Sequence, residues 1–211
     1  MWKWPKRGLE SLVLTNLNSH NLTWDTFHNI LCLSPDLVHL VVGGETTTYG
    51  WPHKSIVETQ VTLPHLQTLN LTTISRDNAS HILRAIHASA LVDLLVTTGP
   101  DLPDLVPTLI DTSSTLRSLC ISFAPHARAE KAVTAALNNA PPQLERLHLL
   151  TNTLAGSFRI NEPVLEGINA CRAVTTLCLE RIFSTDEELI RVISRRQELQ
   201  GCCDIKEIIF D

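Results

Sequence analysis

Two cysteines and a histidine share one position of a repeated six-residue pattern, and their side chains could carry thiol or metal chemistry. Cys120, His148 and Cys178 each stand fifth in a hexamer of the form L-x-x-L-x-L, with aliphatic substitutes, and lie 28 and 30 residues apart. In adjacent parallel strands about 4.8 Å apart, a Cys–His dyad is geometrically reachable. A zinc site would lack a fourth ligand, and cysteines two strands apart exceed the roughly 7 Å Cα limit for a disulfide. We therefore expect Cys and His to be tolerated at a half-exposed strand position.

A serine, a histidine and an aspartate raise the alternative of a hydrolytic triad. Ser118, His39 and Asp93 all stand third in such hexamers. His39 and Asp93 would be two strands apart, about 9.6 Å between backbones, and Ser118 would be one strand farther. Triad hydrogen bonds of roughly 3 Å are then out of reach. We expect no enzyme activity and predict neither a cofactor nor a metal ion.

The hexamer that holds these residues recurs eight times, and this repeat organises the chain. Successive hexamers start 28, 29, 25, 25, 28, 30 and 31 residues apart. They are LESLVL from Leu9, LVHLVV from Leu37, LQTLNL from Leu66, LVDLLV from Leu91, LRSLCI from Leu116, LERLHL from Leu144, VTTLCL from Val174 and IKEIIF from Ile205. One such hexamer is weak evidence because leucine is common, whereas eight at near-regular spacing indicate repeated structural units. We predict that residues 1–211 form one domain of about eight irregular repeats.

Alternation within each hexamer predicts a strand. Positions four and six point to one face and position five to the other, and the first residue turns into the same core as positions four and six. With helices between the strands, the chain is predicted to be an α/β protein, a right-handed solenoid with one parallel sheet and outer helices. Positions three, five and seven should then line a bare concave face that binds another protein. The predicted partner-binding residues are Val13, His39, Val41, Asn70, Asp93, Leu95, Cys120, Arg146, His148, Cys178 and Glu207.

Apolar stripes between the hexamers predict the crossover helices. The stripes comprise Trp24, Phe27 and Leu31; Leu102, Leu105, Val106, Leu109 and Ile110; and Val164, Leu165, Ile168 and Cys171. The connection from Gly43 to His65 has no helical stripe, so we expect a loop with an extended stretch near Ile56–Leu63. Arg195 and Arg196 stand near the end of a predicted helix, where we expect them to favour the helix dipole and to be solvated.

Composition excludes several classes of function. The net charge is −5 and no run of Lys or Arg exceeds two residues, so nucleic acid is not an expected partner. The first residues contain no apolar signal segment, and the apolar runs are too short to span a membrane. The six cysteines are then no evidence for disulfides. We expect a reducing compartment, cytoplasmic or nuclear, and no membrane partner.

The hexamers and their spacing resemble the leucine-rich-repeat superfamily over nearly the whole chain. LSPDLVHLVV (Leu33–Val42) and VTLPHLQTLNL (Val61–Leu71) look like phrases of the irregular repeats behind F-box domains in fungal F-box proteins. Family repeats usually carry Asn or Cys three residues after the sixth position, and here only Asn152 does, which is typical of an irregular intracellular subclass. The resemblance implies a horseshoe-shaped solenoid.

The resemblance also implies a function. Fungal F-box proteins recruit substrates to cullin-RING ubiquitin ligases, with the repeats holding the substrate and the F-box docking the ligase scaffold. We expect a protein-binding module of this type, with a substrate or client protein as its partner, and a fragment that lacks the F-box and the solenoid caps. The alternatives are a ligase-independent regulator that binds and inhibits or scaffolds another protein, and a non-functional piece of a mis-predicted gene. Because acidic residues outnumber Arg146 around the concave stripe, a partner with a partly basic rim is expected.

Overall fold

The structure is a computed structural model and describes residues 8–15, 22–44, 60–98, 103–112, 114–124, 127–151, 158–159, 161–183, 186–199, 201 and 203–210. Its strands are β1 (Ser11–Leu14), β2 (His39–Gly43), β3 (Val61–Thr62), β4 (Thr68–Ile74), β5 (Ile86–His87), β6 (Asp93–Thr98), β7 (Ser118–Phe123), β8 (Arg146–Thr151), β9 (Phe158–Arg159), β10 (Thr176–Glu180), β11 (Ile182–Phe183) and β12 (Glu207–Phe210). Its helices are α1 (Trp24–Cys32), α2 (Arg76–Ala85), α3 (Val106–Asp111), α4 (Ala127–Asn138), α5 (Glu162–Ala170) and α6 (Asp186–Glu198).

One large parallel sheet contains a strand from each of the eight hexamers. Its strand order is β1-β2-β4-β6-β7-β8-β10-β12, so each strand lies beside the strand of the next hexamer along the chain. All seven pairings are parallel, and each aligns equivalent hexamer positions. The predicted α/β class and the single large parallel sheet are therefore confirmed. In the described part of the chain the sheet does not close into a barrel.

A repeated hydrogen-bond pattern sets the register just before the strands begin. The carbonyl at hexamer position two accepts from the amides at positions two and three of the following hexamer. Val38 O, for example, lies 2.8 Å from Gln67 N and 3.1 Å from Thr68 N. The same arrangement recurs at every step, from Glu10 O to Thr175 O. We call this pair of hydrogen bonds to one carbonyl the fork. It fixes the register, because a slip of one residue would turn every core leucine to the other face of the sheet.

The core lies between the sheet and the helices. In the third hexamer, Leu66, Leu69 and Leu71 are 0%, 2% and 0% exposed, as positions one, four and six should be. Burial of each such side chain contributes about 1.5–3 kcal/mol. These strand residues form one continuous cluster with the buried faces of the helices, which places the helices on one side of the sheet.

The helical stripes are confirmed in α1 and α5, where all predicted residues are buried. Thr23 and Asn161 cap these two helices by accepting from backbone amides of the first turn. The prediction for α3 is wrong at Ile110, whose side chain is 56% exposed. Leu105 and Leu109 are buried, as predicted. The helix has only six residues and therefore presents a narrow buried face. Leu102 lies outside the described residues.

Short strand pairs lie outside the large sheet. In the connection predicted as an extended loop, Val61–Thr62 forms β3 and pairs in parallel with β5, Ile86–His87. The remainder of that stretch, from Ile56 to residue 59, lies outside the described residues. Strands β9 and β11 form a second two-stranded parallel pair. The extended character predicted near Leu63 is therefore confirmed where the chain is described.

Arg196 contradicts the expectation of a solvated helix-end cation, because it is only 3% exposed. Its two terminal nitrogens donate to five backbone carbonyls at 2.9–3.2 Å, and one N–H of Nη2 is shared between two of them. The acceptors belong to Ile168, Cys171, Arg172, Val174 and Cys203. These carbonyls lie at the end of α5 and in the turns before β10 and β12, so one buried side chain joins three segments. Arg195 is partly exposed, as expected, and pairs with Glu162 at 3.2 Å.

Candidate functional site

The face of the large sheet that points away from the helices carries hexamer positions three and five, and we call it the ladder face. Its fifth-position row runs in register over all eight strands. In order along the sheet this row is Val13, Val41, Asn70, Leu95, Cys120, His148, Cys178 and Ile209. The third-position row is Ser11, His39, Thr68, Asp93, Ser118, Arg146, Thr176 and Glu207. All predicted partner-binding residues therefore lie on one face.

Exposure along the fifth-position row differs between its ends and its middle. Val13 and Ile209, on the two outermost strands, are 59% and 42% exposed. The six residues between them are half-buried. Neighbouring side chains about 4.8 Å apart shield one another, so an interior position shows mainly its tip. The row is thus a continuous stripe of partly exposed side chains, mostly apolar, with Asn70 and His148 as its polar members.

Asp93 and Arg146 pair across an intervening strand. Arg146 Nη2 donates to Asp93 Oδ1 at 3.1 Å, and the register places Ser118 between the two residues. Both side chains are substantially exposed, so the pair adds at most about 1 kcal/mol to stability. Its main consequence is electrostatic, because the most central acidic residue of the third-position row is already neutralised.

His148 lies next to a carboxylate on the ladder face, and this contact is an ion pair only while the imidazole is protonated. Its Nε2 lies 3.3 Å from Glu180 Oε2, and Glu180 Oε1 lies 3.9 Å from Nε of Arg181. Glu180 stands at hexamer position seven, one strand over from His148. Asp93 is paired with Arg146, and Glu180 lies near Arg181, so the acidic excess that suggested a partner with a basic rim is partly compensated. Glu207 is the exposed acidic residue left in the two rows of the ladder face, and Asp211 lies outside the described residues.

The Cys120, His148 and Cys178 constellation is brought together on adjacent strands, as predicted. Burial raises the pKa of the Cys120 thiol to about 11, and Cys178 and Glu180 add to this rise. A thiol with such a pKa is protonated at neutral pH and is a weak nucleophile. Within the described ranges, no group of three or more His, Cys, Asp or Glu residues is arranged to hold a metal ion. Both cysteines are free thiols.

The residues of the hypothetical triad are not brought together. Thr68 separates His39 from Asp93 in the ladder, and His39 Nδ1 is hydrogen-bonded to Thr68 Oγ1 at 3.2 Å. Asp93 is paired with Arg146 rather than with a histidine. In the described ladder the neighbours of Ser118 are Asp93 and Arg146, so no histidine lies beside it to complete a triad.

We expected the residues at hexamer position seven to be exposed on the same face as those at positions three and five. This prediction is wrong in β2 and β7. Gly43 and Ser122 are buried, and Ser122 is 0% exposed. The Ser122 Oγ has no hydrogen-bond partner among the described residues. A Cβ at Gly43 would lie 2.7 Å from Thr72 Oγ1, so a larger residue there would have to displace the Thr72 side chain. The accessible stripe is therefore narrower than the sequence pattern implied.

Comparisons with protein-family models, curated proteins and solved structures find no match. None of the described helices is long and apolar enough to cross a membrane. Function therefore has to follow from the residues of the ladder face and their chemistry.

Proposed function

We propose that the chain is a leucine-rich-repeat-type right-handed solenoid and that its ladder face binds another protein. The proposal of repeated units is supported by the fork of two amides on each position-two carbonyl, which recurs at all seven steps between hexamers. Stacked copies of one strand–helix unit would repeat the same backbone hydrogen bonds at equivalent positions. The register of all eight hexamers supports the same arrangement.

The single observation that carries the binding proposal is the in-register stripe of the ladder face. Eight strands at about 4.8 Å spacing extend it over roughly 34 Å. All-parallel sheets normally have both faces covered, and the buried faces of the helices belong to the core on the other side. An apolar stripe of this length suits a protein partner, since monomers rarely leave such stripes uncovered.

Contact at the centre of the stripe should be dominated by Leu95. It is half-buried, lies between Asn70 and Cys120, and stands two residues after Asp93 on the same strand, beside the Asp93–Arg146 pair of the third-position row. Half-buried apolar residues at the middle of a surface, ringed by polar groups, are where binding energy concentrates. Because the central charges compensate one another, we propose that shape and apolar contact, rather than steering by net charge, select the partner.

The biological setting that we propose is substrate recognition for an F-box-type cullin-RING ubiquitin ligase, in the cytoplasm or nucleus. The support for this step is the resemblance of Leu33–Val42 and Val61–Leu71 to fungal F-box repeats. Both stretches include described strands of the ladder, β2 and β4. Co-purification of a cullin scaffold with the full-length protein would support the ligase setting. Its absence, with partner binding intact, would favour a ligase-independent regulator.

Matched substitutions on the two sides of the sheet test the binding proposal. Leu95→Asp places a charge at the centre of the ladder face, and Ile110→Asp places the same charge on the exposed side of α3. We expect Leu95→Asp to weaken capture of the partner at least about tenfold, equivalent to about 1.4 kcal/mol, and Ile110→Asp to leave it unchanged. Thermal unfolding of both variants controls for lost structure. Capture that survives Leu95→Asp and fails with Ile110→Asp would overturn the assignment of the face.

A further inference from the structure

A cleft lies among the helices, on the other side of the sheet from the ladder face. It is formed where the last turns of α5 and α6 meet and has a volume of about 260 Å³. Its lining residues are Glu166, Asn169, Ala170, Arg172, Arg195 and Leu199. Pockets for drug-sized ligands start at about 300 Å³, so this cleft suits a smaller group, about the size of one terminal residue of a chain.

Asn169 gives the cleft an unsatisfied polar group. Its side chain is only 6% exposed, and its Oδ1 has no hydrogen-bond partner in the part of the chain that the structure describes. Leaving a buried amide unpaired costs about 1–3 kcal/mol, so an asparagine at this position needs a reason. Because Oδ1 itself has almost no accessible surface, a peptide group in the cleft would be bound by the Nδ2 donor, or by Oδ1 after the amide turns.

Two arginines, Arg172 and Arg195, line the cleft, and they differ in whether a carboxylate already binds them. Arg195 is held by Glu162 at 3.2 Å and by Glu166 at 3.9 Å. The exposed guanidinium of Arg172, in contrast, makes no ion pair with any residue that the structure describes. A free arginine fork beside a buried amide matches a carboxylate, which it can bind in a bidentate manner.

The buried guanidinium of Arg196 offsets the partial negative charge that would otherwise disfavour an anion in the cleft. The carboxyl end of a helix such as α5 carries partial negative charge and would repel a carboxylate. Here the buried guanidinium donates to the carbonyls of Ile168 and Cys171, and also to the carbonyl of Arg172 itself. The negative end of α5 is therefore compensated from within the fold.

We propose that this cleft binds the free C-terminus of a peptide. Arg172 pairs with the terminal carboxylate, the Asn169 amide hydrogen-bonds the last peptide group, and Leu199 with Ala170 packs against an apolar last side chain. Leu199 is 40% exposed, so its surface is accessible for that contact. The site is separate from the ladder face and does not depend on the function proposed for it.

Calorimetric titration of the full chain with two short probes tests the proposal. N-acetyl-Leu-Leu with a free carboxylate should bind at least about tenfold more tightly than the same peptide with a C-terminal amide. Arg172→Gln should abolish this preference, while Arg128→Gln, an exposed arginine on α4, should preserve it. Equal binding of the two probes, no binding of either at millimolar concentration, or an unchanged preference in Arg172→Gln would overturn the proposal.

A second variant separates binding from folding. Asn169→Leu removes the unpaired buried amide at similar volume, so we expect unfolding stability to stay the same or rise while affinity for the carboxylate probe falls at least about fivefold. Loss of stability with unchanged affinity would mean that Asn169 serves the fold, and would also overturn the proposal. Leu95→Asp should bind the probe like the unmodified chain, so failure of this site and failure of the ladder face are distinguishable.

Discussion

Arg196 joins three backbone segments through a single buried side chain. Five carbonyls depend on its guanidinium, and they lie at the end of α5 and before β10 and β12. Replacing a buried ion pair with apolar groups can be neutral when both partners are removed. Here the carbonyls would remain buried after the guanidinium is lost, so the full cost of desolvating them applies.

We therefore predict that Arg196→Met lowers the free energy of unfolding by about 3 kcal/mol or more. The matched control is Arg195→Met, because Arg195 is half-exposed and its ion pairs contribute less than about 1 kcal/mol. Urea unfolding followed by circular dichroism measures both variants. Equal, small losses for the two would contradict the role given to Arg196.

Thiol reactivity should follow burial rather than position in the repeat. Burial raises the pKa of Cys120 to about 11 and that of Cys171 to about 12, so both are thiols and not thiolates at pH 8. Cys32 and Cys203 are exposed. We predict that iodoacetamide at pH 8 alkylates Cys32 and Cys203 well before Cys120 and Cys171, as resolved by peptide mass spectrometry. Raising the pH toward 11 should increase labelling of Cys120 selectively, provided that the fold persists. Alkylation of Cys120 as fast as Cys32 at pH 8 would be the contrary result.

The sequence alone could not have revealed the charge pairs of the ladder face. Alternation places Asp93 and Arg146 in one row, but their contact depends on the long arginine side chain reaching across Ser118. His148 and Glu180 stand at different hexamer positions and meet only on the diagonal between strands. Arg196 was misjudged for a related reason, since charged residues near helix ends are usually exposed and nothing local marks this one as buried.

At the scale of elements, helices α4 and α5 are in unusually close contact at Gly167. A Cβ on Gly167 would lie 2.8 Å from Leu137 Cβ and 3.0 Å from Leu137 Cδ1. In an open helix, Gly→Ala is worth about 1 kcal/mol of added stability through helix propensity. Overpacking against a fully buried leucine costs about 1–3 kcal/mol, and we expect it to prevail.

Gly167→Ala should thus destabilise the chain by about 1 kcal/mol, measured by urea unfolding. In the background of Leu137→Gly, which removes both the Cβ and the Cδ1 that the new methyl group would meet, the same change should become neutral or stabilising. A stabilising effect of Gly167→Ala in the unmodified chain would show that the two helices lie farther apart than the structure places them.

The eight long strands were predictable because a period-two pattern of large aliphatic residues is strong and recurs at near-equal spacing. The helices were predictable where three or more buried residues follow the helical period, as in α1 and α5. Strands β3, β5, β9 and β11 have two residues each, which is too short for any periodicity to show. The six-residue α3 is also too short to show a clear helical period. Its Ile110 was predicted to be buried, although it is exposed.

At the scale of the whole molecule, the chain has two chemically different sides. The helix side buries its apolar residues against the strands, whereas the ladder face keeps a stripe of partly exposed ones in register from Val13 to Ile209. The exposed stripe is narrowed at position seven, where Gly43 and Ser122 are buried, and the Asp93–Arg146 pair leaves its centre close to neutral. A surface with these properties should bind a complementary protein surface with weak dependence on salt.

Site-specific photo-crosslinking in cells tests the central claim, that the ladder face is the working surface. A photoreactive phenylalanine analogue replaces Leu95 in one full-length variant and Ile110 in another, and adducts are identified by mass spectrometry. We predict that position 95 yields reproducible crosslinks to the same protein or proteins and that position 110 does not. Crosslinks of equal yield from both positions, or from position 110 alone, would contradict the assignment of the ladder face as the binding surface.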